Sequence, residues 1–122
     1  MKKFFDDFVG AFRTFDGRRI AERYLVPYLA MHADGTTSLF TSIDSIGGYF
    51  QRIVDNYRER GCTGCRYRSL EVVEIGRDAA LGTVTWELLR GDGSVLASWR
   101  ESYNLARGGD TLKAFVSVDH AE

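Results

Sequence analysis

The sequence predicts an α+β fold: three helices, set largely in the N-terminal half, pack on one face of a strongly curved, mainly antiparallel sheet. Two observations carry this reading. Phe4, Phe5, Phe8, Phe12 and Phe15 recur at three- and four-residue steps, and from Arg66 onward glycine-containing turns divide the chain into long runs of alternating apolar and polar residues. A length of 122 residues suits one domain, residues 1–122, with one sizeable core. Thirteen glycines against a single proline indicate tight turns rather than a disordered linker.

The elements follow in order. The phenylalanine spacing marks the buried face of a first helix and leaves Lys2, Lys3, Asp6, Asp7 and Arg13 for water. Asp16 and Gly17 end it, and Asp16 can cap a short second helix in "GRRIAERYL" because its carboxylate accepts from free amides of a first turn. Pro27 then signals extended chain, and "LVPYLAMHADGTTSLFT" reads as two strands around the Asp34-Gly35 turn. Ile46, Phe50, Ile53 and Tyr57 mark a third helix that stops near Gly61.

The remaining turns, at Gly76-Arg77-Asp78-Ala79, Gly91-Asp92-Gly93-Ser94 and Gly108-Gly109, predict a four-stranded meander. Simple pairing sets Ile75 opposite Ala80, Arg90 opposite Val95 and Arg107 opposite Asp110. One face then gathers Glu71, Val73, Val84, Trp86, Trp99, Glu101, Tyr103 and Val116, while the other is mostly polar and carries Arg68, Arg100 and Phe115. In this register Trp86 faces Trp99, Glu101 faces Val84 and Val116, and Glu71 also faces Val84. The two carboxylates thus share a row at a backbone separation of roughly 10 Å. Buried side by side, they could not easily both ionise, which would supply an acid and a base. Alternatively, a β-bulge turns one of them outward, or Arg68 or Arg100 reaches it.

Sixteen basic and seventeen acidic residues give a net charge of −1, so neither nucleic acid nor an anionic membrane is favoured as a partner. "MKKFFDDFVG" is interrupted by Asp6 and Asp7 and does not read as a secretory signal, and no run approaches a membrane span; a cytoplasmic location is expected. "CTGC", Cys62 to Cys65, reads as a turn bearing two thiols, because a zinc site would need ligands beyond His32 and His120 and a thioredoxin-like motif would open a helix. "RGD" at residues 90–92 is explained by hairpin-turn chemistry. There is no glycine-rich phosphate loop, and neither a metal nor another cofactor is expected.

The phenylalanine-rich first helix, the strand and turn "YLAMHADG", the helix "IGGYFQRIVDNYRERG" and the run "GTVTWELLRGDGSVLASWRESYNL" together resemble the nuclear transport factor 2-like superfamily, including its ketosteroid isomerase-like and SnoaL-like members. The resemblance spans nearly the whole chain. It implies a cone-shaped fold around an apolar pocket and an activity among isomerases, cyclases, dehydratases, epoxide hydrolases or non-catalytic binding and transport modules. The steroid isomerase type uses a tyrosine and a protonated aspartate, but the first helix here carries only phenylalanine at its buried positions. The hydrolase type sets carboxylates and an arginine on the concave strands; Glu71 and Glu101 match, whereas Arg100 falls on the opposite face. The polyketide cyclase type transfers a proton at a carbon acid, which Glu101 beside Tyr103 suits best.

The sequence therefore points to Glu101 and Glu71 as acid/base residues and to His32 as a rim base or an ordinary strand-end histidine. A pocket lined by Trp86, Trp99, Tyr103, Tyr28, Phe12, Phe50 and Val116 would take a small apolar or aromatic ligand. Either a cofactor-independent isomerase, cyclase or lyase or a non-catalytic binding or protein-interaction module fits. A homodimer through the outer sheet face, around Phe115, is expected.

Overall fold

Helix α1 (Lys2–Phe12) buries Phe4, Phe5, Phe8 and Phe12, while Lys2–Asp6 and Lys3–Asp7 pairs one turn apart at 3.2 and 2.7 Å lie on its wet face. The computed structural model describes residues 2–121. Phe15 lies beyond this helix, in a turn whose φ is 51°, and its ring meets Phe12 at 5.6 Å. Asp16 then caps helix α2 (Gly17–Ala21) by accepting from the Arg18 amide at 2.9 Å. This helix is shorter than "GRRIAERYL", because Tyr24 already pairs with the sheet.

Strands β1 (Tyr24–Met31) and β2 (Thr37–Phe40) form the expected hairpin, and helix α3 (Ile43–Glu59) follows it. Helices α1 and α2 precede the first strand, and α3 stands between the β1–β2 hairpin and the remaining strands. Ser42 caps α3 by accepting from the Ser45 amide at 3.1 Å. Gly61, with φ 94°, supplies the left-handed residue just past the helix end. Helices α2 and α3 approach so closely at Gly17 that an added Cβ would collide with the Gly47 carbonyl and sit 2.6 Å from the Gln51 nitrogen. Gln51 ties the contact, accepting from the Gly17 amide at 2.8 Å and donating to the Phe15 carbonyl at 3.0 Å.

Strands β3 (Cys62–Ile75), β4 (Ala79–Arg90), β5 (Val95–Gly108) and β6 (Thr111–Asp119) complete a six-stranded curved sheet in the order β2-β1-β6-β5-β4-β3. All neighbours are antiparallel except β1 and β6. The predicted centre of the meander is present, with Trp86 opposite Trp99 and Val84 opposite Glu101.

Elsewhere bulges change the parity. Ile75 pairs with Ala79 rather than Ala80, and an irregularity between Arg68 and Glu71, where Ser69 has φ 57°, sends Glu71 to the outer face opposite Thr83. Val73 and Ile75, expected under the helices, are 56% and 51% exposed on the projecting β3–β4 hairpin. Val95 faces Leu89, not Arg90. On β6, Gly108 pairs with Thr111, and a second slip follows: Leu105 faces Ala114 but Asn104 faces Val116. Phe115 is the extra residue and is half-buried. Beyond it Ser117 and Asp119 turn inward, and Val116 and Val118 turn outward. "CTGC" is also not a turn: it opens β3, with an irregularity between Cys62 and Gly64 that buries both thiols.

Phe5, Phe8, Trp86 and Tyr103 form the rigid half of the core, with Phe8–Trp86 and Phe5–Tyr103 centroids at 5.2 and 5.6 Å. Two glycines separate close packing from mere flexibility. Gly17→Ala forces α2 off α3 and is expected to cost about 1–3 kcal/mol. Gly10→Ala, in the exposed interior of α1 with nothing within 4 Å of the new methyl, is expected to stabilise by about 0.5–1 kcal/mol. Urea unfolding of the two variants reads both signs.

Candidate active site

Between α3, β1 and the concave face of the sheet lies a cavity of about 230 Å³. Its deep wall is Phe8, Phe12, Trp86 and Leu88; α3 supplies Phe50, Ile53 and Tyr57, which are half-buried because they border this space rather than packed core. Of the expected lining, Trp86, Trp99, Tyr103, Tyr28, Phe12 and Phe50 are present. Val116 is not, since the β6 bulge turns it away.

Glu101 reaches the cavity from β5 and is only 9% exposed. Its Oε1 accepts from the Trp99 indole nitrogen at 2.9 Å. Directly opposite on β6 stands Asp119, where simple pairing would have put Val116. Burial, reinforced by the negative charge of Asp119, pushes the Glu101 carboxyl up to about 8. The Trp99 and Tyr103 donors act in the opposite sense but are outweighed. Burial raises Asp119 as well, while its hydrogen bond with Glu101 and the neighbouring His32 and His120 draw it back. Of the pair, Glu101 is therefore the carboxyl that favours keeping its proton into the neutral range.

Tyrosine hydroxyls surround the pair. Trp86 donates to the Tyr103 oxygen at 2.8 Å, leaving the Tyr103 proton free to reach Glu101. The Tyr28 hydroxyl and Ser117 lie 2.6 Å apart, joining the parallel strands β1 and β6 inside the cavity. Burial raises Tyr103 and Tyr24 well above the ordinary phenol value and Tyr57 to about 12, so these groups remain neutral donors.

Glu71 is not part of this arrangement. It is 78% exposed on the outer face, with Arg100 3.4 Å away; Arg100 also donates to the Ser69 carbonyl and to Thr85. Both alternatives weighed from the sequence, a bulge and an arginine, thus act on Glu71. His32 lies at the rim, 2.9 Å from the Ser38 hydroxyl, and His120 lies beside it near Asp119, its ring 2.8 Å from Ser102. Cys65 lines the deep wall, where burial pushes its thiol up to about 12, far from a reactive thiolate. Among the described residues no group of three or more His, Cys, Asp or Glu side chains is arranged to hold a metal ion, and no helix is long and apolar enough to cross a membrane.

Asp119 is the site residue that ideal alternation misplaces. Its signal is local: Ala114-Phe115-Val116 are three consecutive apolar residues in an otherwise alternating strand, the mark of an inserted residue.

Comparison with known proteins agrees with this architecture. An NTF2-like protein with a cystatin-like fold from Novosphingobium aromaticivorans superposes with a TM-score of 0.77 at 11% identity, over 98% of this chain and 77% of that one. An NTF-2 like protein of unknown function from Shewanella oneidensis gives 0.74 at 12% identity, over 98% and 94%. The yeast UBP3-associated protein BRE5 gives 0.73 at 16% identity, over 99% and 94%. At such identities the likeness is one of fold alone. No curated protein sequence matches the chain. A family model described as NTF2-like protein (DUF6841) matches residues 1–122, so the chain belongs to this NTF2-like family.

Proposed function

We propose that the chain is a SnoaL-like pocket protein acting as a cofactor-independent isomerase, cyclase or lyase on a small, largely apolar molecule. The observation that supports this reading is Glu101, a buried carboxyl facing the cavity with Asp119 opposite it. Asp119, as carboxylate, takes a proton from a carbon acid; Glu101, as acid, delivers its proton to the oxygen on which charge develops. The pair then exchanges the proton back, and each group has the protonation state its task requires near neutral pH. His32, at the rim, is proposed only as a route for protons to water.

A second reading, a non-catalytic ligand-binding or protein-interaction module, is supported by the yeast neighbour described as UBP3-associated. The same module would accommodate a homodimer. We place its contact on the outer sheet face, where Leu29, Met31 and Leu39 are 37%, 40% and 66% exposed beside Val116 and Val118, rather than around Phe115.

Stability against pH reports the buried acid. The ordinary carboxyl value is 4.5 and the folded one about 8, so between them the folded chain keeps a proton that the unfolded chain has released. Wild-type stability is therefore full below the lower value and lost as pH rises through the upper one. Glu101→Gln lacks this loss: it matches wild type in acid and exceeds it by roughly 2–4 kcal/mol in alkali. Denaturation across the pH range measures the gap, and a variant less stable than wild type in alkali would make Glu101 a structural anion.

Catalysis is read by hydrogen–deuterium exchange at carbons next to the carbonyl of small cyclic ketones, followed by NMR. Wild type is expected to catalyse exchange, and Glu101→Gln to lose it about 10²–10⁴-fold. Glu71→Gln should leave exchange unchanged. Ketones that bind without exchanging would favour the second reading. For the dimer, sedimentation should show two subunits for wild type and one for Leu39→Glu; a monomeric wild type would exclude the contact.

A further inference from the structure

The cavity wall has a charge bias that the acid pair alone does not explain. Its lining contains two carboxyl side chains and a high share of aromatic rings, yet no lysine or arginine among the described residues. Arg13, Arg52 and Arg60 act on Cys65, Tyr49 and Tyr57 from outside that lining. An anionic ligand would therefore meet a negative pair with no cation to answer it, at a depth where water screens little.

The rings are placed to do the reverse. Tyr24 and Tyr28 from β1, Tyr49 and Tyr57 from α3 and Tyr103 from β5 all lie close enough to feel the charge of Glu101. Trp99 closes the same space, 6.4 Å from Tyr57 and bonded to Glu101. Trp99 and Tyr103 turn their N–H and O–H donors to Glu101, which leaves the carboxyl pair as an acceptor centre within an aromatic wall, a setting that favours a positive group. The only other titratable groups lining this end, His32 and His120, stand at the rim. A volume of about 230 Å³ exceeds the roughly 150 Å³ that holds benzene, and so admits one ring with a short chain.

We propose that the cavity takes a single-ring organic cation, an arylalkyl ammonium or a similar protonated amine, with its nitrogen between Glu101 and Asp119 and its ring against the aromatic wall. This rests on the second, ligand-binding reading of the pocket above and names the ligand class for it. The incoming ammonium takes the place of the Glu101 proton, which is released to water through the cavity mouth, so both carboxylates can accept hydrogen bonds from it.

The test titrates benzylamine, benzyl alcohol and sodium benzoate into wild type and into Glu101→Gln/Asp119→Asn near neutral pH, by calorimetry. These three probes share a ring and differ in charge. Benzylamine is expected to bind wild type at least about tenfold more tightly than benzyl alcohol, with benzoate weakest. In the double variant the amine should fall to the level of the alcohol, whose retained binding also shows that the variant is folded. Equal or tighter binding of alcohol or benzoate by wild type overturns the cation assignment while leaving the pocket reading in place. Binding of none of the three overturns both.

Discussion

A β-strand hands its side chains alternately to two faces, and the site depends on where that alternation is broken. One irregularity in β3 moves Glu71 to the outside, and one in β6 moves Asp119 to the inside. Neither acid changes its neighbours in sequence; only the parity of the strand differs. Arg100 holds the first break in place by bonding the Ser69 carbonyl, Thr85 and Glu71 together on the outer face. With one break missing, Asp119 would point to solvent and Glu101 would face an apolar wall.

Keeping an acid pair in such a wall requires the surrounding packing to be rigid. On one side Phe4, Phe5 and Phe8 of α1 pack on Trp86 and Tyr103 and hold the Trp86–Tyr103 hydrogen bond in place. On the other side α3 is anchored by its close approach to Gly17 at Gly47 and Gln51. The cavity lies along one face of α3: Ile46, Val54 and the Gln51 contact hold the helix, while Phe50, Ile53 and Tyr57 border the space. The donors Trp99 and Tyr103 offset part of the desolvation of Glu101 without cancelling it.

Much of this was legible in the residues. Helical spacing located α1 and α3, Asp16 located α2, and the glycine turns located the meander, because each of these signals acts over a few neighbours. The Trp86–Trp99 and Val84–Glu101 rows were also readable, because the irregularity between Leu88 and Leu89 offsets the one-residue slip at the β4–β5 turn and restores the counted register. What failed lay beyond the breaks in β3 and β6, which nothing offsets: Glu71, Val73 and Val116 were assigned to the wrong face, and the same simple alternation puts Asp119 on the outer one. A bulge depends on how the sheet must curve over its helices, which is a property of the whole assembly. Of the two breaks that place Glu71 and Asp119, the one in β6 leaves a trace in the sequence, the three consecutive apolar residues Ala114-Phe115-Val116.

The position of β6 has a consequence for how the molecule comes together. It is the last strand in the chain but lies in the interior of the sheet, between β1 and β5, and its partnership with β1 is the one parallel pairing. During synthesis β1 and β2 emerge as a hairpin with one edge unsatisfied, and four more elements, α3 to β5, follow before their partner β6 is made. Contacts so distant along the backbone favour slow closure. Completion of the sheet and arrival of Asp119 beside Glu101 are then the same event, so a growing chain carries no acid pair until its fold is finished.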